Sequence, residues 1–542
     1  MGRIRSVVSR ANQRLTVSSA AWLLSGSLLV GSLLGLYRDR LLNSMYLDTY
    51  QIGIDAYTAA FTIPDFMFFI LVSGALSVTF IPVFNKRLAS GNKESAWQLS
   101  TSMLNFMALV TLVTSILIII FAEPLVRYVV GPGFDESGRE LAISLMRVIA
   151  VNPFLFAIAS VIASMQQAVG RFAFYALAPA LYNIGIIIGA LFFTGGITIF
   201  GQEVFEGGIM GGALGVVLGA ILQLLVSTIG LTGLGFDYRF KIYWRNKGFR
   251  KVLSLLPARS LDQGMDYLVG IVEMNLLSRM ASGTLRAYQQ ASVLHMMPVN
   301  LIGVAISTAA FPTMTEHLAN ERPDLFKAQL QQIIRVITWI ILPVSVVAYF
   351  GRGYVVSFIK NGGDTLIAGL LGALIIAMLF RTIYHIASRA FYAQQDTKTP
   401  FYISVFAISL NIALAVWFTQ SLGYGAYGLA FAQSIVALVE VIILFAILHF
   451  RLPGGLFDKV LVHALGRMAS ATGFMAIITY FAIQVLQLQS TDLSLRSTIP
   501  KFVAITAVSF SVYLVLSRLM KLSEADPVFT RIRSIFFAGV GK

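Results

Sequence analysis

The chain has 542 residues, 57% of them hydrophobic and only 12% charged, with a mean hydropathy of +0.79. A soluble domain carries about 25% charged residues, so the composition predicts an integral membrane protein and excludes an ordinary globular one. The formal net charge is +15 and there is no cysteine, which removes disulfides, thiol catalysis and Cys-based metal sites.

The basic start, MGRIRSVVSRANQR, runs into an apolar stretch with no small-residue cleavage site. It reads as the lead-in to a first spanning helix rather than a removed signal peptide. Apolar runs of about 20 residues predict fourteen spans, centred near residues 26, 70, 109, 155, 183, 220, 266, 298, 343, 376, 409, 436, 474 and 508. With the N-terminus inside, Lys and Arg concentrate on the cytoplasmic side, as the positive-inside rule requires. The densest cluster is YRFKIYWRNKGFRK, residues 238–251. Charge placed this way orients helices and argues against a nucleic-acid partner, with contact to anionic lipid as a secondary role. No hydrophilic connection is long enough for a soluble catalytic domain, and neither HExxH nor GxxxxGK occurs. An enzyme or a self-powered ATPase is therefore not expected.

The chain repeats itself weakly. QQAVGRFAFYALAPALYN (166–183) and QQDTKTPFYISVFAISLN (394–411) share a Gln pair and a final Asn at an offset of 228 residues, and FIPVFNKRLASG (80–91) matches AFPTMTEHLANE (310–321) at 230. Six spans precede the basic loop and six follow it, and an even number gives parallel repeats about an axis along the membrane normal. The expected fold is an all-α integral membrane protein with fourteen transmembrane helices: two pseudo-symmetric six-helix lobes plus two C-terminal helices. Its divisions are an N-terminal lobe (1–237), a basic cytoplasmic linker (238–251), a C-terminal lobe (252–450) and an extension with a cytoplasmic tail (451–542). Substrate sites in repeat transporters lie at the repeat interface, so transport is the leading function. Two small-residue ladders, Ser27–Gly31–Gly35 and Gly211–Gly215–Gly219, predict close helix packing.

Charges inside the spans mark candidate sites. In LDQGMDYLVGIVEMN (261–275), Asp262, Asp266 and Glu273 fall within roughly 40° on one helical face, with Arg259 one turn earlier. Facing lipid, each carboxylate would cost about 2.5–3.5 kcal/mol. An Arg259–Asp262 pair with Asp266 capping a kink after Pro257 explains part of the stripe and leaves out Glu273; a wetted cavity face explains all of it. Such a face offers cation or proton coupling, either Na+ bound through hard oxygens, with Asn411 as a further ligand, or a carboxylate that changes protonation during the cycle. Cationic candidates are Arg38 with Asp39 at the outer end of the first span, Arg147 in the fourth, Arg259 in the seventh, and Arg381 with His385 in the tenth. Arg381, His385 and Arg389 share one face, and Arg389 reads as an interfacial residue whose head reaches water. Asn183 and Asn411, the repeat-related pair, read as interhelical hydrogen bonders. Asp65 and Glu440 are isolated carboxylates.

Several stretches resemble the MurJ/MviN family, flippases for the lipid-linked peptidoglycan precursor within the multidrug/oligosaccharidyl-lipid/polysaccharide exporter superfamily. They are GLYRDRLL (35–42), DAYTAAFTIPDF (55–66), SGALSVTFIPVF (73–84), GPGF (131–134), APALYNIG (178–185) and FYAQQDTKTP (391–400). The resemblance implies two six-helix lobes about a central cavity, two added helices, and outward movement of an undecaprenyl-linked headgroup by alternating access. It places the protein in the bacterial cytoplasmic membrane, where the charge asymmetry predicts that both termini are cytoplasmic. The partners implied are a lipid-linked saccharide diphosphate, membrane lipids and cell-wall synthesis proteins, with no cofactor beyond Na+ or H+. The chain also departs from the family. Cavity arginines typical of the first, second and eighth helices align with Ser32, Phe68 and Val293, and a family Glu with Ser73. Bidentate arginine suits phosphate, so Arg38, Asp39, Arg147, Arg259, Arg381 and His385 become the expected substrate contacts. A flippase for another undecaprenyl-linked saccharide and a cation-coupled drug exporter of the same fold are the rival readings.

Overall fold

The computed structural model describes residues 17–73, 79–199, 202–205, 207–489 and 491–537. Its long helices are α1 (Val17–Tyr46), α2 (Gln51–Val72), α3 (Lys93–Ile120), α4 (Glu136–Ala168), α5 (Ala173–Phe193), α6 (Ile209–Ile229), α7 (Lys247–Leu277), α8 (Thr284–Ala319), α9 (Pro323–Phe350), α10 (Thr365–Ala393), α11 (Lys398–Ser421), α12 (Gly425–Arg451), α13 (Lys459–Val485) and α14 (Leu495–Leu519). Twelve of these are long and apolar enough to cross a membrane among the described residues. The expected count of fourteen is not reached on that criterion. The two remaining, α1 and α7, are 30 and 31 residues long, and their side chains at 17–22, 25 and 257–266 lie outside the described residues. A short antiparallel hairpin, β1 (Ile197–Ile199) with β2 (Gln202–Phe205), joins α5 to α6 and was not expected from the sequence.

Short polar side chains start the helices by satisfying backbone donors that have no intrahelical partner. Asn92 accepts from Ser95 N at 3.0 Å, Asp135 from Gly138 N at 2.9 Å, Asp364 from Ile367 N at 2.9 Å and Asp458 from Leu461 N at 2.8 Å. The internal repeat has a backbone counterpart. A π-helical turn at Phe69–Ser73 recurs at Val299–Val304, 230 residues on, and one at Gly189–Phe193 recurs at Trp417–Ser421, 228 residues on.

The chain divides into two compact units, Met1–Arg286 and Ala287–Lys542. Helix α7 packs into the first unit. Phe249, Val252 and Leu256 join a core with Phe80, Phe84 and Met103, and Tyr267 stacks on Phe69 at 4.5 Å. In the same unit α5 and α6 touch glycine to glycine. A Cβ at Gly185 or Gly189 would run into the backbone of Gly219 or Gly215, so the 211–215–219 ladder is a packing device, as expected. The second unit is built around Phe326, Ile337, Ile386, Phe391 and Leu444. Helices α13 and α14 attach to α9 through Met475, Tyr513 and Val347, and the Tyr513 hydroxyl donates to Trp339 O at 3.0 Å. Leu28, Phe192, Phe481, Val485 and Leu519 are among many exposed large apolar side chains, a surface suited to lipid and not to water.

Candidate functional site

In the first unit, ionic and amide side chains from α1, α2, α5 and the start of α8 converge. Arg38 Nε and Nη2 donate to Asp39 Oδ1 at 3.2 and 3.0 Å, and its Nη1 donates to Asn183 Oδ1 at 2.9 Å. Asn183 is itself fixed, its Nδ2 donating to Gly31 O at 3.2 Å. Gly35 adjoins this amide, 3.9 Å from where its own Cβ would stand. The Asp39 oxygen also accepts from Arg286 Nη2 at 3.3 Å, while Arg286 Nε donates to Asn43 Oδ1 at 2.8 Å. Asp39 and Asn43 lie one helical turn apart on α1 and so address the same guanidinium.

Asp55 fixes where α8 begins. Its two oxygens accept from Gly283 N at 2.6 Å and Arg286 N at 2.8 Å. This carboxylate on α2 caps another helix's first turn, where both orphan donors and the helix dipole favour negative charge. Gly283 has φ +87, which glycine adopts without strain.

Two arginines and two aspartates make the cluster formally neutral, which is how buried charge is tolerated. Exposure separates the members. The Arg38 side chain is 25% exposed, against 6% for Arg286 and 7% for Asp39. These bonds engage three of Arg38's five N–H donors. The others sit on its two terminal nitrogens, the pair that binds phosphate or carboxylate in bidentate fashion. Arg286 is the buried second cation on Asp39, its Nη2 3.3 Å from the shared oxygen.

The other expected residues are distributed between the units. Arg147 is exposed on α4, and Glu273 is buried on α7. The side chains of Arg259, Asp262, Asp266 and Ser73 lie outside the described residues. Arg381 and His385 are half-buried on α10 in the second unit, and the Arg381 Nε is buried with no hydrogen-bond partner. Arg389 lies over the Phe311 ring at 5.3 Å. The repeat-related asparagines differ: Asn183 is fully engaged, whereas the buried Asn411 leaves Oδ1 without a partner. Glu440 accepts from Ser404 Oγ at 3.3 Å. Ser32 and Val293 are exposed, and Phe68 makes ring contacts at 5.5 Å with Phe69 and Phe156. Among the described residues no group of three or more His, Cys, Asp or Glu could hold a metal ion.

Sequence reasoning missed Arg286, Asn43 and Asp55 as cluster members, and His295, which is buried with neither ring nitrogen partnered. A signal was present: on the predicted topology Asn43, Asp55 and Arg286 all lie at span ends on the outer side.

The sequence pattern of the family described as "Lipid II flippase MurJ" matches residues 51–498. The chain belongs to this family. A probable lipid II flippase MurJ of Thermotoga maritima is 26% identical over 491 residues, covering 88% of this chain and 92% of that protein. One of Borreliella burgdorferi is 24% identical over 407 residues, covering 74% and 78%. Among solved structures, a lipid II flippase MurJ in an inward closed conformation aligns with a TM-score of 0.73 at 22% identity over 96% of this chain and 100% of that one. An inward-facing multidrug resistance MATE transporter aligns at 0.64 and 17% identity, covering 80% and 98%. The MurJ membrane fold is thus shared here, and with it the multi-pass placement in the bacterial inner membrane.

Proposed function

We propose that the chain moves lipid II, the lipid-linked peptidoglycan precursor, from the inner to the outer leaflet by alternating access. The observation that carries this reading is Arg38. Its guanidinium is anchored by Asp39 and Asn183, partly exposed, and left with donors for a diphosphate. Asp39 positions it, and Arg286 balances Asp39. Arg147, Arg259, Arg381 and His385 are proposed as further contacts with the anionic headgroup. Both termini are proposed to be cytoplasmic, and no chemical step on the substrate is invoked.

Coupling to Na+ or H+ is proposed through Asp262, Asp266 and Glu273 on α7, with Asn411 as a further ligand. The buried Glu273 and the unpartnered Asn411 oxygen support it. Reconstituted transport measured against sodium concentration and pH, with D262N, D266N and E273Q beside wild type, tests the coupling; identical profiles remove it. The function itself is tested by replacing the peptidoglycan-precursor flippase of a depletion strain with this chain. Growth is expected, and failure to grow despite membrane expression counts against the reading.

A further inference from the structure

The loop between α6 and α7 is tied along α3. Asn105 Nδ2 donates to the carbonyls of Arg239 and Lys241 at 2.8 and 3.0 Å, and its Oδ1 accepts from the Tyr238 hydroxyl at 2.7 Å. Ser102 Oγ accepts from Tyr243 N at 2.8 Å, and Asn246 Nδ2 donates to Ser95 O at 3.0 Å. At 1.5 Å per residue, positions 95 to 105 cover about 15 Å of α3. The whole helix, 28 residues, is about 42 Å long against a hydrocarbon core of about 30 Å. Its polar start, KESAWQLSTS, is the part that overhangs. The overhang is about 12 Å, so the ties straddle the level at which α3 leaves the hydrocarbon, and the loop is a strap fixed at that boundary.

What the strap presents fits that depth. Phe240 is 93% exposed and Trp244 56%, aromatic side chains of the kind that settle at a membrane–water boundary. Beside them is a cavity of about 720 Å³ whose lining includes Arg87, Lys241, Arg245 and Lys247, with Asn92, Ser95 and Gln98, and no carboxylate. Arg239 is outside this group, paired with Asp237 at 3.1 Å. Arg87 is held in place: it donates to Ser95 Oγ, its guanidinium occupies space that a Cβ on Gly248 would fill, and its Nε is buried without a partner.

We propose that this cavity binds the phosphodiester headgroup of an anionic phospholipid of the adjoining leaflet, with Phe240 and Trp244 seated beside it. The charge is complementary and the depth is that of the phosphate layer. A soluble polyanion does not account for apolar rings exposed at that level. The site is separate from the Arg38 cluster and stands whether or not the transport reading holds.

The test uses the purified full-length protein in uncharged detergent, with thermal unfolding followed on addition of dioctanoyl phosphatidylglycerol, dioctanoyl phosphatidylcholine or inorganic phosphate. Saturable stabilisation by phosphatidylglycerol alone is expected, with affinity at least about tenfold weaker in the K241Q/R245Q/K247Q variant. An unchanged response in that variant, no response in wild type, or an equal response to inorganic phosphate overturns the proposal. A second measurement spares the charges. In nanodiscs, phosphatidylglycerol brominated near the glycerol should quench the fluorescence lost in W244F more than equally brominated phosphatidylcholine does. Equal quenching by the two lipids also overturns it.

Discussion

Arg286 reaches Asp39 across 247 residues of sequence, its Nη2 3.3 Å from the carboxylate oxygen that also holds Arg38. One buried aspartate thus serves two arginines with different surroundings, and the two should respond differently to substitution.

Removing Arg286 leaves buried polar partners unmet, which costs about 3–5 kcal/mol when a buried pair is broken. R286M is expected to lower the melting temperature in detergent strongly. R38M, at a side chain already a quarter exposed, is expected to cost less than half as much. If R38M is the more destabilising of the two, the assignment of Arg286 as the structural partner is wrong.

Asp55 should matter through backbone atoms. D55N retains one acceptor for the Gly283 and Arg286 amides, so a loss of about 1–3 kcal/mol is expected. Hydrogen exchange at residues 283–286 should accelerate in this variant while α12 stays protected. Unchanged exchange there contradicts the capping role.

Glycines on different helices make opposite predictions. A Cβ at Gly215 meets the backbone of α5, whereas one at Gly473 in α13 meets nothing within 4 Å. G215A is expected to destabilise by about 1–3 kcal/mol through overpacking. G473A should be neutral or stabilising by about 0.5–1 kcal/mol, since alanine suits a helix interior better. Thermal melts of the two variants side by side check both signs.

The loop before α11 makes a pH prediction. Asp396 accepts from the Thr399 hydroxyl and from Arg451 Nη1, each at 2.6 Å, and these hold its carboxyl well below the usual carboxylate range. A depressed folded value means its stabilisation is fully present above the unfolded value of about 3.9 and is lost as pH falls through the folded value. The stability difference between wild type and D396N should therefore be flat from neutral pH to about pH 5 and shrink below about pH 4. A difference that grows on acidification contradicts the clamp.

The helices were legible because apolar runs of membrane length leave few alternatives, and the small-residue ladder marked α6 as closely packed without naming α5 as its partner. FYAQQDTKTP was legible as a motif but not as a clamp, because Arg451 lies 55 residues beyond Asp396. The cluster was half legible. Arg38 and Asp39 stand out as charges within a span, and Asn183 as its repeat partner's equivalent. Arg286 and Asp55 sit at span ends, where a charge ordinarily meets water, and only tertiary packing brings them to α1. The hairpin after α5 is too short to give a periodic signal against the helices around it.

Arg38 is proposed to grip the diphosphate of a lipid-linked precursor. The most direct test is lipid II flipping by the reconstituted protein, with wild type, R38K and R38A compared at equal amounts of folded, reconstituted protein and well below the melting temperature of each. Wild type should flip, R38A should lose most of the activity, and R38K should recover little of it, because lysine restores the charge without the fork. Flipping by R38A at the wild-type rate would contradict the account.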